Sequence, residues 1–143
     1  MIVTAAGDGR RMDPGRLIAL DDDELRAVGL SRPKLLSVRS LAQHTLDGTV
    51  PTRGQMRRLD DEQIIERLTV IRGVGRWTAE MLLLFRLGRG DVLPVSDLGI
   101  RKGFALTFGS RRLPAAVTIT RRAERWRPYR SVACWYLWRA CDM

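Results

Sequence analysis

Apolar residues recur along this chain at three- and four-residue spacing, the period of a helix face, and β-branched residues never alternate over a useful length. Asp21 predicts the cap of a short helix through Leu25 and Val28, closed by Gly29. Ser31 predicts the cap of a longer one, with Pro33 in its first turn. Its apolar side carries Leu35, Val38, Leu41, Ala42 and Thr45, with Lys34 and Arg39 free to reach solvent, and Gly48 and Pro51 end it. Asp60 or Asp61 starts another helix, burying Ile64, Ile65, Leu68 and Ile71. Gly73 and Gly75 interrupt it, and a new helix begins near Arg76. From 78 to 87 almost every residue is apolar, so this helix is expected to be nearly surrounded by protein. An extended crossing over 91–97 leads into a helix around Ile100 to Phe108, where Gly99 and Gly103 weaken the first turn. Further helix is expected from Pro114 to Trp126 and over 129–141. The expected fold class is all-α, a helical bundle, with an irregular segment over 1–16 and one domain over 17–143.

Composition narrows the partners. The chain has 143 residues and a formal charge of +9, and its basic groups are 23 arginines with only Lys34 and Lys102. The net charge is +2 over residues 1–60 and +7 over 61–143, so an anion-binding surface belongs mainly to the second part. Nucleic acid is the leading partner, ahead of an anionic membrane surface or plain solubility. No apolar run is long enough to span a bilayer and the start lacks a signal-peptide pattern, so no membrane role is expected. Cys134 and Cys141 lie seven residues apart on one expected helix, about 10 Å along its axis, too far for a disulfide. Packing in a reducing compartment is their expected role.

The strongest local pattern is Leu-Thr-Val-Ile-Arg-Gly-Val-Gly-Arg-Trp-Thr-Ala at 68–79. Two glycines permit a tight reversal between apolar helices, which is either a structural turn or a phosphate seat. In the second case the amides of Gly73, Gly75 and Arg76 face outward at a helix start. Asp97 sits where a Pro-containing loop meets a helix, either as its cap or as a carboxylate aimed into a pocket. Arg76, Arg101, Lys102 and Arg130 are either phosphate neighbours or a solvated basic face, and Arg130-Ser131 opens a helix. His44 has no metal-ligand cluster around it, and no transition-metal motif is present.

In order, these blocks resemble the helix-hairpin-helix DNA repair glycosylases: the hairpin Gly-Val-Gly-Arg-x-Thr-Ala at 73–79, then Asp97 22 residues after Gly75. The Glu-Arg-Trp-Arg-Pro-Tyr-Arg-Ser run at 124–131, with Gly-Leu-Ser-x-x-Lys at 29–34, is most similar to the DNA-3-methyladenine glycosylase II branch. The resemblance covers roughly residues 15–140. It implies a monofunctional DNA N-glycosylase removing alkylated purines such as 3-methyladenine from duplex DNA in base excision repair, with Asp97 catalytic. It implies a base pocket lined by Trp77 and Trp138, with Met81 and Leu98 where a close bacterial relative has tyrosines. Trp126, Trp135 and Tyr136 read as scaffold. Gly73, Gly75, Arg76 and Thr78 of the hairpin, with Arg101, Lys102 and Arg130, are the implied phosphate contacts. Backbone carbonyls of Thr69, Ile71 and Val74 are the implied holders of a Na or K ion.

Departures from the family sharpen the expectation. Bifunctional relatives carry a lysine where Trp77 stands, and neither Lys34 nor Lys102 replaces it, so lyase chemistry is not expected. Two cysteines cannot supply the four that hold an iron–sulfur cluster. The family's leading helices have no counterpart in 1–16, so the expectation is a partial two-lobed fold. An apolar face would then be left for a protein partner or a second copy. A DNA-binding module without catalysis is the alternative, and a basic helical partner-binding protein is a third reading. Cytoplasmic or otherwise intracellular work on DNA is the expected setting.

Overall fold

The computed structural model describes residues 12–142, all of its regular elements helical. They are α1 (Pro14–Ala19), α2 (Asp22–Ala27), α3 (Arg32–Leu46), α4 (Arg53–Met56), α5 (Asp61–Thr69), α6 (Arg76–Phe85), α7 (Leu98–Thr107), α8 (Ala116–Ala123), a 3-10 turn (Glu124–Trp126) and α9 (Arg130–Ala140). The all-α expectation is met. Most of the segment expected to be irregular, 1–16, lies outside the described residues, but its end does not: Asp13 caps α1 and Pro14 opens it. The chain forms two compact units, Met1–Arg76 and Trp77–Met143, a division inside the span expected as one domain, 17–143. No helix among the described residues is long and apolar enough to cross a membrane.

In the first unit, reciprocal capping boxes open α2 (Asp21 with Glu24) and α5 (Asp60 with Gln63), satisfying amides that a helix start leaves orphaned. A third, Thr52 with Gln55, opens α4, an element the periodicity does not predict. Ser31 occupies the cap position of α3, but its side chain makes no capping bond. Leu17 and Ala42 pack together with Ile18, Leu20 and Val38, joining α1 to α3. Arg39, expected in solvent, instead donates to the carbonyls of Ile18 and Leu20 and to the Asp22 carboxylate. The free carbonyls at the end of α1 are thus bound by a cation, the sign its dipole favours.

In the second unit, Ile100, Phe104, Ile119, Cys134 and Leu137 form the core shared by α7, α8 and α9. The loop before α7, expected as an extended crossing, turns over Val95 and Ser96, where the Asp97 N–H donates to the Pro94 carbonyl at 3.0 Å. The Ser131 hydroxyl fastens it by donating to Arg89 O and accepting from Val92 N–H. Helix α6 corrects an expectation. Ala79, Glu80, Leu83 and Leu84 are buried, whereas Trp77, Thr78 and Phe85 are exposed, so one face is open rather than enclosed.

Candidate active site

Asp97 is the N-cap of α7, and its Oδ1 accepts the Ile100 N–H at 2.8 Å. The capping reading is therefore correct, and it is incomplete. The same oxygen accepts the Trp138 indole N–H from α9 at 2.8 Å, and Oδ2 accepts the Trp77 indole N–H from α6 at 2.8 Å. Burial pushes the Asp97 carboxyl up. The opposing hydrogen bonds from Trp138, the Ile100 amide, Trp77 and the Gly99 amide together outweigh it and hold the pKa below the ordinary value. The carboxylate is half-buried, ionised, and locked by donors from three helices.

The expected pocket tryptophans thus meet at the carboxylate, edge first. Trp77 is 47% exposed. Met81 and Phe85 follow at four-residue intervals on α6, placing the three side chains on one face. Phe85 stacks on Trp138 with ring centroids 5.8 Å apart, and Trp135 meets both rings edge-on at 5.5 and 6.0 Å. Phe85 belongs to this cluster and sequence reasoning misses it, although the 77, 81, 85 spacing carries the signal. Trp135 is not buried scaffold. It is 57% exposed, and Tyr136 is more so, because both sit on the solvent side of α9. Trp126 is scaffold, packed against Phe104 and Phe108. Leu98 is exposed beside Asp97.

The hairpin belongs to the first unit through Arg76. Gly73 adopts φ +79°, a conformation that disfavours side chains, and a Cβ there would stand 2.4 Å from Ser37 Oγ. The adjacent Arg72 N–H donates to Ser40 Oγ at 3.1 Å, so a serine pair on α3 seats the turn. At Gly75 a Cβ would meet nothing within 4 Å, leaving its backbone open to approach. Arg76 points at Glu62 in a two-pronged ion pair, whose hydrogen bonds hold the Glu62 carboxyl below its ordinary range against the opposing effect of burial. Thr69, Ile71 and Val74 offer neutral carbonyls, a donor set that suits a hard monovalent ion. The Ile71 carbonyl also accepts the Val74 N–H at 3.0 Å, which leaves it a second lone pair.

The remaining expected phosphate contacts divide. Thr78 and Lys102 are exposed. Arg101 donates to the Pro114 carbonyl at 3.2 Å. Arg130 does not face outward: only 14% exposed, its side chain donates to both Asp91 carboxylate oxygens and to the Asp91 carbonyl. That geometry gives it a structural duty, closing the loop before α7 onto α9. Cys134 is buried and Cys141 exposed, both as free thiols, and among the described residues no group of three or more His, Cys, Asp or Glu gathers to hold a metal.

Residues 3–128 match the family described as the HhH-GPD superfamily base excision DNA repair protein. The chain is 40% identical over 138 residues to DNA-3-methyladenine glycosylase 1 of Schizosaccharomyces pombe, covering 96% of this chain and 60% of that protein. It superposes on the structure of the S. pombe 3-methyladenine DNA glycosylase Mag1 in complex with abasic DNA with a TM-score of 0.87 at 37% identity, covering 99% of this chain and 69% of that one. The crystal structure of a DNA-3-methyladenine glycosidase from Bacillus halodurans gives a TM-score of 0.86 at 33% identity, over 97% and 63% of the two chains. The chain spans about 60% of the length of the curated S. pombe relative it matches. With its hairpin, its Asp97 junction and its run at 124–131, this chain belongs to the HhH-GPD superfamily of base excision DNA repair proteins.

Proposed function

We propose that this chain acts as a monofunctional DNA N-glycosylase, releasing alkylated purines such as 3-methyladenine from duplex DNA. The observation that carries the reading is the Asp97 carboxylate, kept ionised by the Trp77 and Trp138 indoles beside an open aromatic face. Breaking the bond from base to sugar sends the electron pair out with the base, which neutralises an alkylated purine cation without a protein acid. Positive charge then develops on the sugar. A fixed carboxylate stabilises it, orients the water that adds there, and takes up that water's proton. The exposed rings of Trp77 and Phe85 on one face of α6 suit an unstacked, electron-poor base. Trp77 stands where the bifunctional branch has its lysine, so no amine is offered to the sugar and the backbone is left intact.

The hairpin would position the duplex through phosphates, with the open backbone at Gly75 and exposed Thr78 as contacts. Carbonyls of Thr69, Ile71 and Val74 would hold a monovalent cation there, whose charge would reinforce the pull on a phosphate. The test is release of free 3-methyladenine from methylated duplex by the wild-type chain, with release abolished in Asp97→Asn. Salt-sensitive duplex binding without release would overturn the enzyme in favour of a silent binding module. No duplex binding at low salt would overturn both.

A further inference from the structure

Gly99 lies in the first turn of α7, and glycine is a poor helix former beside alanine. Its backbone does not demand glycine, since it is absent from the positive-φ positions of the chain. What it lacks is a side chain in a crowded place. A Cβ there would stand 2.7 Å from Trp138 Cδ1, 3.0 Å from Trp138 Nε1 and 3.0 Å from Asp97 Oδ1. Nε1 and Oδ1 are the donor and the acceptor of the Trp138 to Asp97 hydrogen bond. The indole has little room to retreat, because Phe85 stacks on it and Trp135 meets its edge.

We infer that Gly99 is a positioning residue for the Asp97 carboxylate: its missing side chain lets the Trp138 indole reach Oδ1, which orients Oδ2 toward the half-exposed Trp77 indole. The inference takes the use of that carboxylate from the proposed function, while the geometry stands without it. Trp138 is the fixed donor, held by two neighbouring rings, and Trp77 is the outer one. The titratable neighbours are Glu80 on α6, the Cys134 thiol, whose pKa burial first and then the Asp97 charge push up to about 12, and the Cys141 thiol, which donates to the Gly99 carbonyl at 3.4 Å. The Cys134 thiol therefore stays neutral throughout an acid titration.

The test reads the indole N–H signals of the full chain by nuclear magnetic resonance during that titration. In wild type, the Trp77 and Trp138 signals move together at one midpoint below the ordinary carboxylate range, and Asp97→Asn removes that transition, which separates it from Glu80. In Gly99→Ala, the Trp138 signal loses the transition and the midpoint read at Trp77 rises toward the ordinary carboxylate range. In a Trp138→Ala background, adding Gly99→Ala moves the midpoint less than it does in the wild-type chain, since only the 3.0 Å approach to Asp97 Oδ1 is left to disturb. Wild-type titration of both indoles in Gly99→Ala overturns the inference. So does a Gly99→Ala chain that fails to fold and is not rescued by Trp138→Ala. Where the wild type releases base, Gly99→Ala lowers kcat about a hundredfold with KM unchanged. Absence of release in wild type sinks the proposed function and leaves the indole titration to decide this inference alone.

Discussion

Gly103 of α7 lies so close to Leu137 of α9 that a Cβ on the glycine would stand 1.8 Å from the Leu137 carbonyl oxygen. Backbone cannot yield as a side-chain tip can, so the helices would have to separate. That separation would open the core of Ile100, Phe104, Cys134 and Leu137 between them. Gly103→Ala is expected to cost about 3 kcal/mol, the upper part of the range for overpacking. Urea unfolding monitored by tryptophan fluorescence measures it. A loss below about 1 kcal/mol, the lower end of that range, would show that α7 and α9 do not approach this closely.

Asp97 makes stability depend on pH in a defined direction. Its folded pKa is lowered, so its contribution is present above the ordinary carboxylate value of about 3.9 and lost as pH falls through the lowered one. Asp91 and Glu124 also sit low, but both titrate in wild type and in Asp97→Asn alike, so their effect cancels between the two chains. The wild-type advantage over Asp97→Asn should therefore shrink as pH falls from about 6 to about 2. Urea denaturation of both chains at several pH values across that window measures it. An advantage that grows in acid would reverse the sign argued here.

Arg130 and Asp91 carry the next expectation. The pair joins the loop before α7 to the start of α9 through side-chain and main-chain contacts, and Arg127 adds a second cation to Asp91 at 2.6 Å. Arg130→Ala should destabilise the chain by about 2 kcal/mol, the scale of a charge-assisted hydrogen bond that is mostly shielded from water. Duplex affinity at fixed salt should change little beyond what lost folding explains. A salt slope reduced by about 1 with stability intact would instead make Arg130 a phosphate contact.

What is legible in the sequence follows from what local chemistry can specify. The cap at Asp21, the helix start at Asp60 or Asp61 and the apolar face at Ile64, Ile65 and Leu68 are local, and they read correctly, with Asp60 the cap. Asp97 is visible as a residue at a loop–helix junction, but its three-helix clasp depends on Trp77 and Trp138, 20 and 41 positions away. The destination of Arg130 is hidden for the same reason, since Asp91 is 39 positions distant. Gly99 and Gly103 read locally as weaknesses of a helix. Their spacing of four is also a surface for close approach, and only the position of α9 decides between those meanings.

The two hairpin glycines should separate structure from binding. Gly73→Ala meets both a left-handed backbone and Ser37, so it should cost about 1–2 kcal/mol from the backbone alone, and more from the clash. Gly75 has an ordinary φ and open space around it, so Gly75→Ala should leave thermal stability nearly unchanged. If a phosphate approaches that backbone, the added methyl stands in its way and duplex affinity falls about tenfold, without a matching change in unfolding. Fluorescence anisotropy with a labelled duplex at one stated salt concentration reads the first quantity, and thermal denaturation reads the second. Unchanged affinity in Gly75→Ala would place the phosphate elsewhere and leave the hairpin as a turn that Ser37 and Ser40 hold in place.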